Sequence, residues 1–167
     1  DALRMLLAQS ESAEIILVNN GNPGATDARL DELAKSHSTL RLVSGHGNVG
    51  FGAGCNLGCR YARAPLVMLL NPDSLVGPDC LEHVVTVLAE LPPHSMVGAD
   101  IRNPDGTPQR GARRMLPTPW ASFIELFRVY RLAPSHPYFA RVNHHHHEMP
   151  NDHEQVPAIS GAFMAMA

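Results

Sequence analysis

Asp73 is the side chain best placed for chemistry in this 167-residue sequence. It follows Leu66-Val67-Met68-Leu69-Leu70, an uninterrupted apolar run that reads as a strand buried on both faces. Such a strand would carry Asn71, Pro72 and Asp73 to the rim of a sheet. Ligands of open α/β sheets bind outside the carboxyl ends of the strands. Upstream, Gly45, Gly47, Gly50, Gly52, Gly54 and Gly58 crowd into one short stretch. Glycine is costly in a helix because it loses more backbone entropy on folding than alanine does. The crowding therefore predicts close approach of a ligand or a neighbouring strand to the backbone. Taken literally, Gly45-His46-Gly47-Asn48-Val49-Gly50 is G-x-G-x-x-G between a strand and a helix, the pattern that binds a pyrophosphate on helix N-terminal amides. The acid expected about 20 residues further on is missing, since residues 63–70 contain none. A dinucleotide-dependent oxidoreductase is accordingly the weaker inference.

Two other clusters carry less. His144, His145, His146 and His147, followed by Glu148, Asp152 and His153, are metal-binding residue types. Four adjacent side chains cannot all converge on one ion, so a flexible loop is the expectation. Arg110, Arg113 and Arg114 form a small basic patch, but the formal net charge is −3. Without a clustered basic face the chain lacks a nucleic-acid footprint, and no nucleic-acid partner is expected. Cys55 and Cys59 lie four apart, which suits neither a CxxC motif nor a paired zinc knuckle. All three cysteines read as reduced thiols of a cytosolic protein. No apolar run approaches the ~20 residues of a membrane span.

The elements that must position these residues alternate. Leu3, Leu6 and Leu7 have helical spacing, and residues 14–18 form a strand run closed by the polar turn 19–24. Thr26 would N-cap a helix through residue 35, with Asp27 in its first turn and Leu30 and Leu33 facing inward. Residues 40–43 make the next strand, and the glycine stretch opens a helix. Pro78 would sit in the first turn of another helix, whose Leu81, Val84, Val85, Leu88 and Leu91 form one stripe ended by Pro92-Pro93. This order predicts an α/β protein with right-handed crossovers, its strands at 14–19, 40–43 and 66–71 parallel and adjacent in one sheet. Beyond residue 93, a strand over 96–101 and a hairpin turn at Asn103-Pro104-Asp105-Gly106 are expected. An amphipathic piece over 120–132 would carry Phe123, Ile124, Phe127 and Tyr130 on one face, which could dock on the domain or touch a partner, ordinary packing being the expectation. Residues 158–167 read as a final strand.

Asn48-x-Gly50-Phe51-Gly52-x-Gly54-x-Asn56-x-Gly58, followed by Leu69-Leu70-Asn71-Pro72-Asp73, resembles the family 2 glycosyltransferases, most closely the rhamnosyltransferase-type members. Residues 15–21 resemble the family's second strand and its nucleotide-contacting turn. Asp105-Gly106-Thr107, Arg113-Arg114 and Ser160-Gly161-Ala162-Phe163-Met164 also match, so the resemblance spans nearly the whole chain. It implies a GT-A nucleotide-sugar-binding fold with a mostly parallel central sheet and flanking helices, truncated at both ends. Within a single domain over 1–167, residues 1–93 would be the nucleotide-sugar-binding half and 94–167 an incomplete acceptor-side half.

The implied activity is inverting transfer from a nucleoside-diphosphate sugar, such as TDP-rhamnose, to a polysaccharide or lipid-linked acceptor. The implied setting is the cytoplasmic face of a bacterial membrane, with peripheral membrane association and a role in surface polysaccharide synthesis. A non-catalytic nucleotide- or partner-binding module is the alternative. The resemblance assigns donor contacts to Asn19, Asn48, Gly50, Asn56, Asn71 and Asp73. Asn71-Pro72-Asp73 occupies the family's D-x-D position, which leaves Asp73 as the carboxylate for Mg²⁺ or Mn²⁺. Asn19 replaces the family's base-reading Asp, yet an amide can accept from a pyrimidine N3–H and donate to a carbonyl of uracil or thymine. The family's further acid in that turn falls on Gly24. The general base, a carboxylate near the acceptor hydroxyl, is expected beyond residue 167.

Overall fold

The computed structural model describes residues 2–9, 13–109, 113–114, 118–128, 131 and 154–167. The four histidines 144–147 and Tyr130 lie outside them. The chain divides into two compact units, residues 1–96 with 165–167 and residues 97–164.

In the first unit, α1 (Ala2–Gln9) precedes β1 (Ile15–Val18), and α2 (Gly24–Ser36) leads to β2 (Leu40–Val43). β1 and β2 pair in parallel, Ile15 opposite Leu40 through Val18 opposite Val43. Parallel neighbours require a crossover, and α2 supplies it while packing on β2. That helix starts earlier than Thr26. Pro23, held extended at φ −59° and ψ 151°, is its N-cap, and the Pro23 carbonyl accepts from the amides of Thr26 and Asp27. Leu30 and Leu33 are half-buried, with Asp27 and Ala34, and the rest of the helix is exposed.

α3 (Phe51–Cys59) packs against β1, and two of its glycines explain how. Gly54 and Gly58, one turn apart, are the buried residues of the helix. A Cβ on Gly58 would stand 3.0 Å from Val18 Cγ2, and one on Gly54 would stand 3.5 Å from Asn20 Nδ2. The expected close approach is thus made by the neighbouring strand. Arg41 on β2 lies over the Tyr61 ring at 4.1 Å, and Arg63 pairs with Glu14 at 2.8 Å. Both contacts tie the segment after α3 to the start of the β1–β2 pair. The Arg63 partner holds the Glu14 carboxyl below its ordinary value.

β3 (Val67–Leu70) and α4 (Cys80–Glu90) follow, then the two-residue β4 (Met96–Val97). Pro78 sits just before the Asp79 N-cap of α4 rather than inside its first turn. The inward stripe of α4 is Leu81, Val84, Val87 and Leu88, whereas Val85 is half exposed. β7 (Phe163–Met166), whose last residues belong to this unit, lies between β3 and β4 in the order β3-β7-β4. This corrects the expected sheet: β3 pairs with β7, and β1 and β2 form a separate parallel pair. The apolar side chains of β1 and β3 are half-buried rather than sealed on both faces. The unit's core contains Leu40, Val43, Val76, Leu88 and Ala165.

In the second unit, the strand expected over 96–101 shrinks to β4, because the chain turns at once into a hairpin. Arg102 bridges Pro108 in antiparallel fashion, and the turn between them closes with Gly106 at φ +82°. The Thr107 amide and hydroxyl both donate to the Asp105 carboxylate and lower its pKa. β5 (Arg113–Arg114) pairs antiparallel with β6 (Ala158–Ile159). Gly98 fits under Ile159 so tightly that a Cβ there would be 2.8 Å from the isoleucine Cβ. The final expected strand is two strands, β6 and β7, broken at Ser160-Gly161-Ala162. α5 (Pro119–Phe127) buries Ile124, which is 1% exposed, but leaves Phe123 and Phe127 outside. Ordinary packing of that stripe therefore holds for Ile124 and is corrected for Phe123 and Phe127, which stay exposed.

Candidate functional site

The turns that follow β1 and β2 are built into each other. Gly21, at φ +86°, lies so close to Asn48 that a Cβ would be 2.9 Å from the Asn48 amide nitrogen. Asn20 locks the approach with both ends of its carboxamide. Its Oδ1 accepts from the Val49 amide at 2.9 Å, and its Nδ2 donates to the Gly50 carbonyl at 3.2 Å. Asn48 Oδ1 in turn accepts from the Gly50 amide at 2.9 Å. Gly50 is the N-cap of α3 and takes φ +83°, a conformation that excludes most side chains. Gly45 and Gly47 also adopt positive φ. The glycine stretch therefore divides its work: three residues bend the loop, and two let α3 sit on β1.

Asn19 directly follows β1 and is 4% exposed. Its oxygen accepts from the Asn22 amide at 3.2 Å and from Asn22 Nδ2 at 2.6 Å, and its nitrogen donates to the Asp27 carboxylate. A buried polar group must be paired or it destabilises the fold, and here the partners also fix which way the amide faces. The acceptor half of Asn19 is engaged by Asn22, which leaves one amide N–H for a further partner. Both ring nitrogens of His46 are buried with no hydrogen-bond partner among the described residues. One of them must be a donor in neutral imidazole, so this loop carries polar capacity that the protein itself does not use.

Asn71 closes β3 in a tight turn, its carbonyl accepting from the Ser74 amide at 3.1 Å. Asp73 projects from that turn, exposed, and makes no hydrogen bond or ion pair among the described residues. Asn56 is exposed on α3. The structure thus joins Asn19, Asn48 and Gly50 through Asn20 and Gly21. No hydrogen bond among the described residues links Asn56, Asn71 or Asp73 to that group. The described residues also hold no cluster of three His, Cys, Asp or Glu side chains suited to a metal. A lone exposed carboxylate still fits Mg²⁺, which takes one or two protein carboxylates and fills its shell with phosphate oxygens and water.

Sequence reasoning set Asn20 and Asn22 in the turn after the strand and His46 in the glycine stretch, but assigned no role to them, and read Asp27 only as a helix-turn charge. Three asparagines around a turn glycine were a usable signal, since carboxamides bind backbone groups across turns. Elsewhere, burial raises the thiol pKa of Cys55 and of Cys80, as expected of packed rather than activated cysteines.

The family model described as "Glycosyl transferase family 2" matches residues 1–153. An uncharacterized glycosyltransferase of Haemophilus influenzae is 31% identical over 84 residues, covering 47% of this chain and 24% of that protein. The low-salt glycan biosynthesis hexosyltransferase Agl10 of Haloferax volcanii is 28% identical over 145 residues, 84% of this chain and 41% of its own length. The N-acetylglucosaminyl-diphospho-decaprenol L-rhamnosyltransferase of Mycobacterium tuberculosis is 27% identical over 120 residues, 65% and 38% of the two chains. The chain spans between a quarter and two-fifths of these relatives. The glycine stretch and Asn71-Pro72-Asp73 both fall inside the matched span, which sets them in the frame of a GT-A fold rather than a dinucleotide fold. By sequence pattern and by the parallel α/β frame that carries it, the chain belongs to glycosyl transferase family 2.

Proposed function

We propose that the full-length protein transfers a sugar, with inversion, from a nucleoside-diphosphate donor to a saccharide or lipid-linked acceptor. TDP-rhamnose is the donor that fits the rhamnosyltransferase-like pattern. One observation supports a donor site above all: the turns at Asn20–Gly21 and Asn48–Gly50 are interlocked by the Asn20 carboxamide and by the close approach of Gly21 to Asn48. Asn19 would offer its remaining amide N–H to a carbonyl of uracil or thymine. Asn48, Gly50, Asn56, Asn71 and Asp73 complete the proposed donor contacts. In the reaction the bond from the anomeric carbon to the diphosphate oxygen breaks as the acceptor oxygen bonds to the opposite face. The acceptor proton passes to a base, and the nucleoside diphosphate leaves. Asp73, with the neutral Asn71 oxygen as a second candidate ligand, would hold Mg²⁺ or Mn²⁺, whose charge would offset that developing on the leaving diphosphate.

A bacterial membrane face, with a role in surface polysaccharide synthesis, is the setting that suits such an acceptor. No helix among the described residues is long and apolar enough to cross a membrane. Thermal shift with UDP, TDP, UDP-glucose, TDP-rhamnose and NAD, with and without Mn²⁺, tests the reading. A ligand at 100 times its Kd stabilises a fold by about 2.7 kcal/mol. Stabilisation by a pyrimidine nucleotide and not by NAD is the expected result, and the reverse would overturn it.

A further inference from the structure

α5 presents an aromatic ladder to the outside. Trp120 stacks on Phe123 with ring centroids 5.6 Å apart, and Phe123 meets Phe127 at 4.7 Å. These rings are 51%, 45% and 63% exposed, and Leu126 is 76% exposed, while Ile124, one turn on from Trp120 at the edge of the ladder, is buried. Large apolar side chains gathered on one face mark a contact surface, unlike the same residues scattered singly. Arg128 and Arg131 follow the helix, both exposed, and Glu125 is the single acid in the sequence from 118 to 132. Indole and phenyl rings on one face, with guanidinium groups at the end, form the pattern of a helix lying in the headgroup layer of a bilayer. A second copy fits less well. With aromatic side chains burying ~150–250 Å² each when fully covered, two such half-exposed patches meeting face to face reach only about the 1,000 Å² floor of a specific interface. A lipid surface imposes no such floor and requires no complementary shape.

We infer that α5 is a membrane-surface contact, inserting Trp120, Phe123, Leu126 and Phe127 into an anionic leaflet while Arg128 and Arg131 meet lipid phosphates. The inference stands apart from the donor site and would bring the second unit to the surface that bears a lipid-linked acceptor.

Trp120 is the single tryptophan of the chain, so its emission reports on this face alone. The test adds vesicles of phosphatidylcholine, with and without one-third phosphatidylglycerol, to the 167-residue chain. The expected result is a blue shift with the anionic vesicles, reduced by salt, and quenching by brominated acyl chains. Leu126→Ser should weaken vesicle binding at least about tenfold, since it removes an apolar side chain that would otherwise leave water on insertion. Arg128→Glu with Arg131→Glu should weaken it at least fivefold on anionic vesicles only. These side chains are exposed, so unfolding temperature and nucleotide-induced stabilisation should match the parent, separating this result from the fate of the donor-site reading. The inference is overturned if no vesicle shifts the emission or if Leu126→Ser binds as the parent does. A blue shift that grows with protein concentration in the absence of lipid would overturn it in favour of self-association.

Discussion

Gly21 and Gly45 offer a paired experiment on the turn that anchors the proposed donor site. Both hold positive φ, +86° and +87°, but their surroundings differ. A Cβ on Gly45 meets nothing within 4 Å, whereas a Cβ on Gly21 meets the Asn48 amide nitrogen and Cβ at 2.9 Å and Cα at 3.2 Å. Alanine at either position suffers the left-handed penalty of an L-residue, about 1–2 kcal/mol. At Gly21 it also forces two backbone segments apart, since neither partner can rotate out of the way, and overpacking of this kind costs roughly 1–3 kcal/mol more. Gly21→Ala is thus expected to destabilise by about 2–5 kcal/mol and Gly45→Ala by about 1–2. A domain of this size loses about 2–4 °C in Tm for each kcal/mol. Urea unfolding of the two variants measures the gap. Because separating Gly21 from Asn48 stretches the Asn20 bonds to Val49 and Gly50, only Gly21→Ala should also weaken pyrimidine-nucleotide binding. Equal destabilisation by the two, or unchanged nucleotide affinity in Gly21→Ala, would refute the argument that the turns support each other.

Asp73→Asn keeps size and removes charge, so in the full-length protein it should abolish most Mn²⁺-dependent affinity for UDP or TDP while leaving Tm unchanged. Titration calorimetry checks this, and equal affinities would reduce Asp73 to a turn residue. Asp27→Ala leaves the buried Asn19 amide short of its carboxylate partner and should destabilise by about 1–3 kcal/mol, measured by urea unfolding. Glu14, depressed by Arg63, should favour the fold fully above its ordinary pKa of 4.5. That contribution is lost as pH falls through the lower folded value, so Glu14→Gln should flatten the decline of Tm below about pH 5.

Much of the frame was legible because periodicity speaks for burial. The runs that became β1, β2 and β3 follow from apolar spacing, and so does α2, whereas α3 was signalled by its glycine stretch. Pairing is another matter. Nothing in Val67–Leu70 says that β7, almost a hundred residues later, lies beside it, because a continuous apolar run is compatible with any neighbour. Thr26 lost the capping position to Pro23, whose fixed φ and accepting carbonyl a propensity scale ranks below a hydroxyl. Phe123 and Phe127 were assigned to a packed face on the reasoning that large apolar residues go inside, a one-way rule that their exposure breaks. In the candidate site, the family pattern pointed to Asn19 and Asn48. Asn20, which holds the two turns together, shows its role only once the loops are seen in contact.

That carboxamide has a dynamic consequence. The Val49 and Gly50 amides are bonded to side chains, Asn20 and Asn48, and not to a strand ladder or a helix. Their exchange with deuterium is governed by the opening of one loop and can proceed while β1 and β2 stay paired. A nucleotide seated against this loop would slow exchange at Val49 and Gly50 selectively, so these two amides provide a site-specific clock for occupancy in a protein whose ligand is still to be identified.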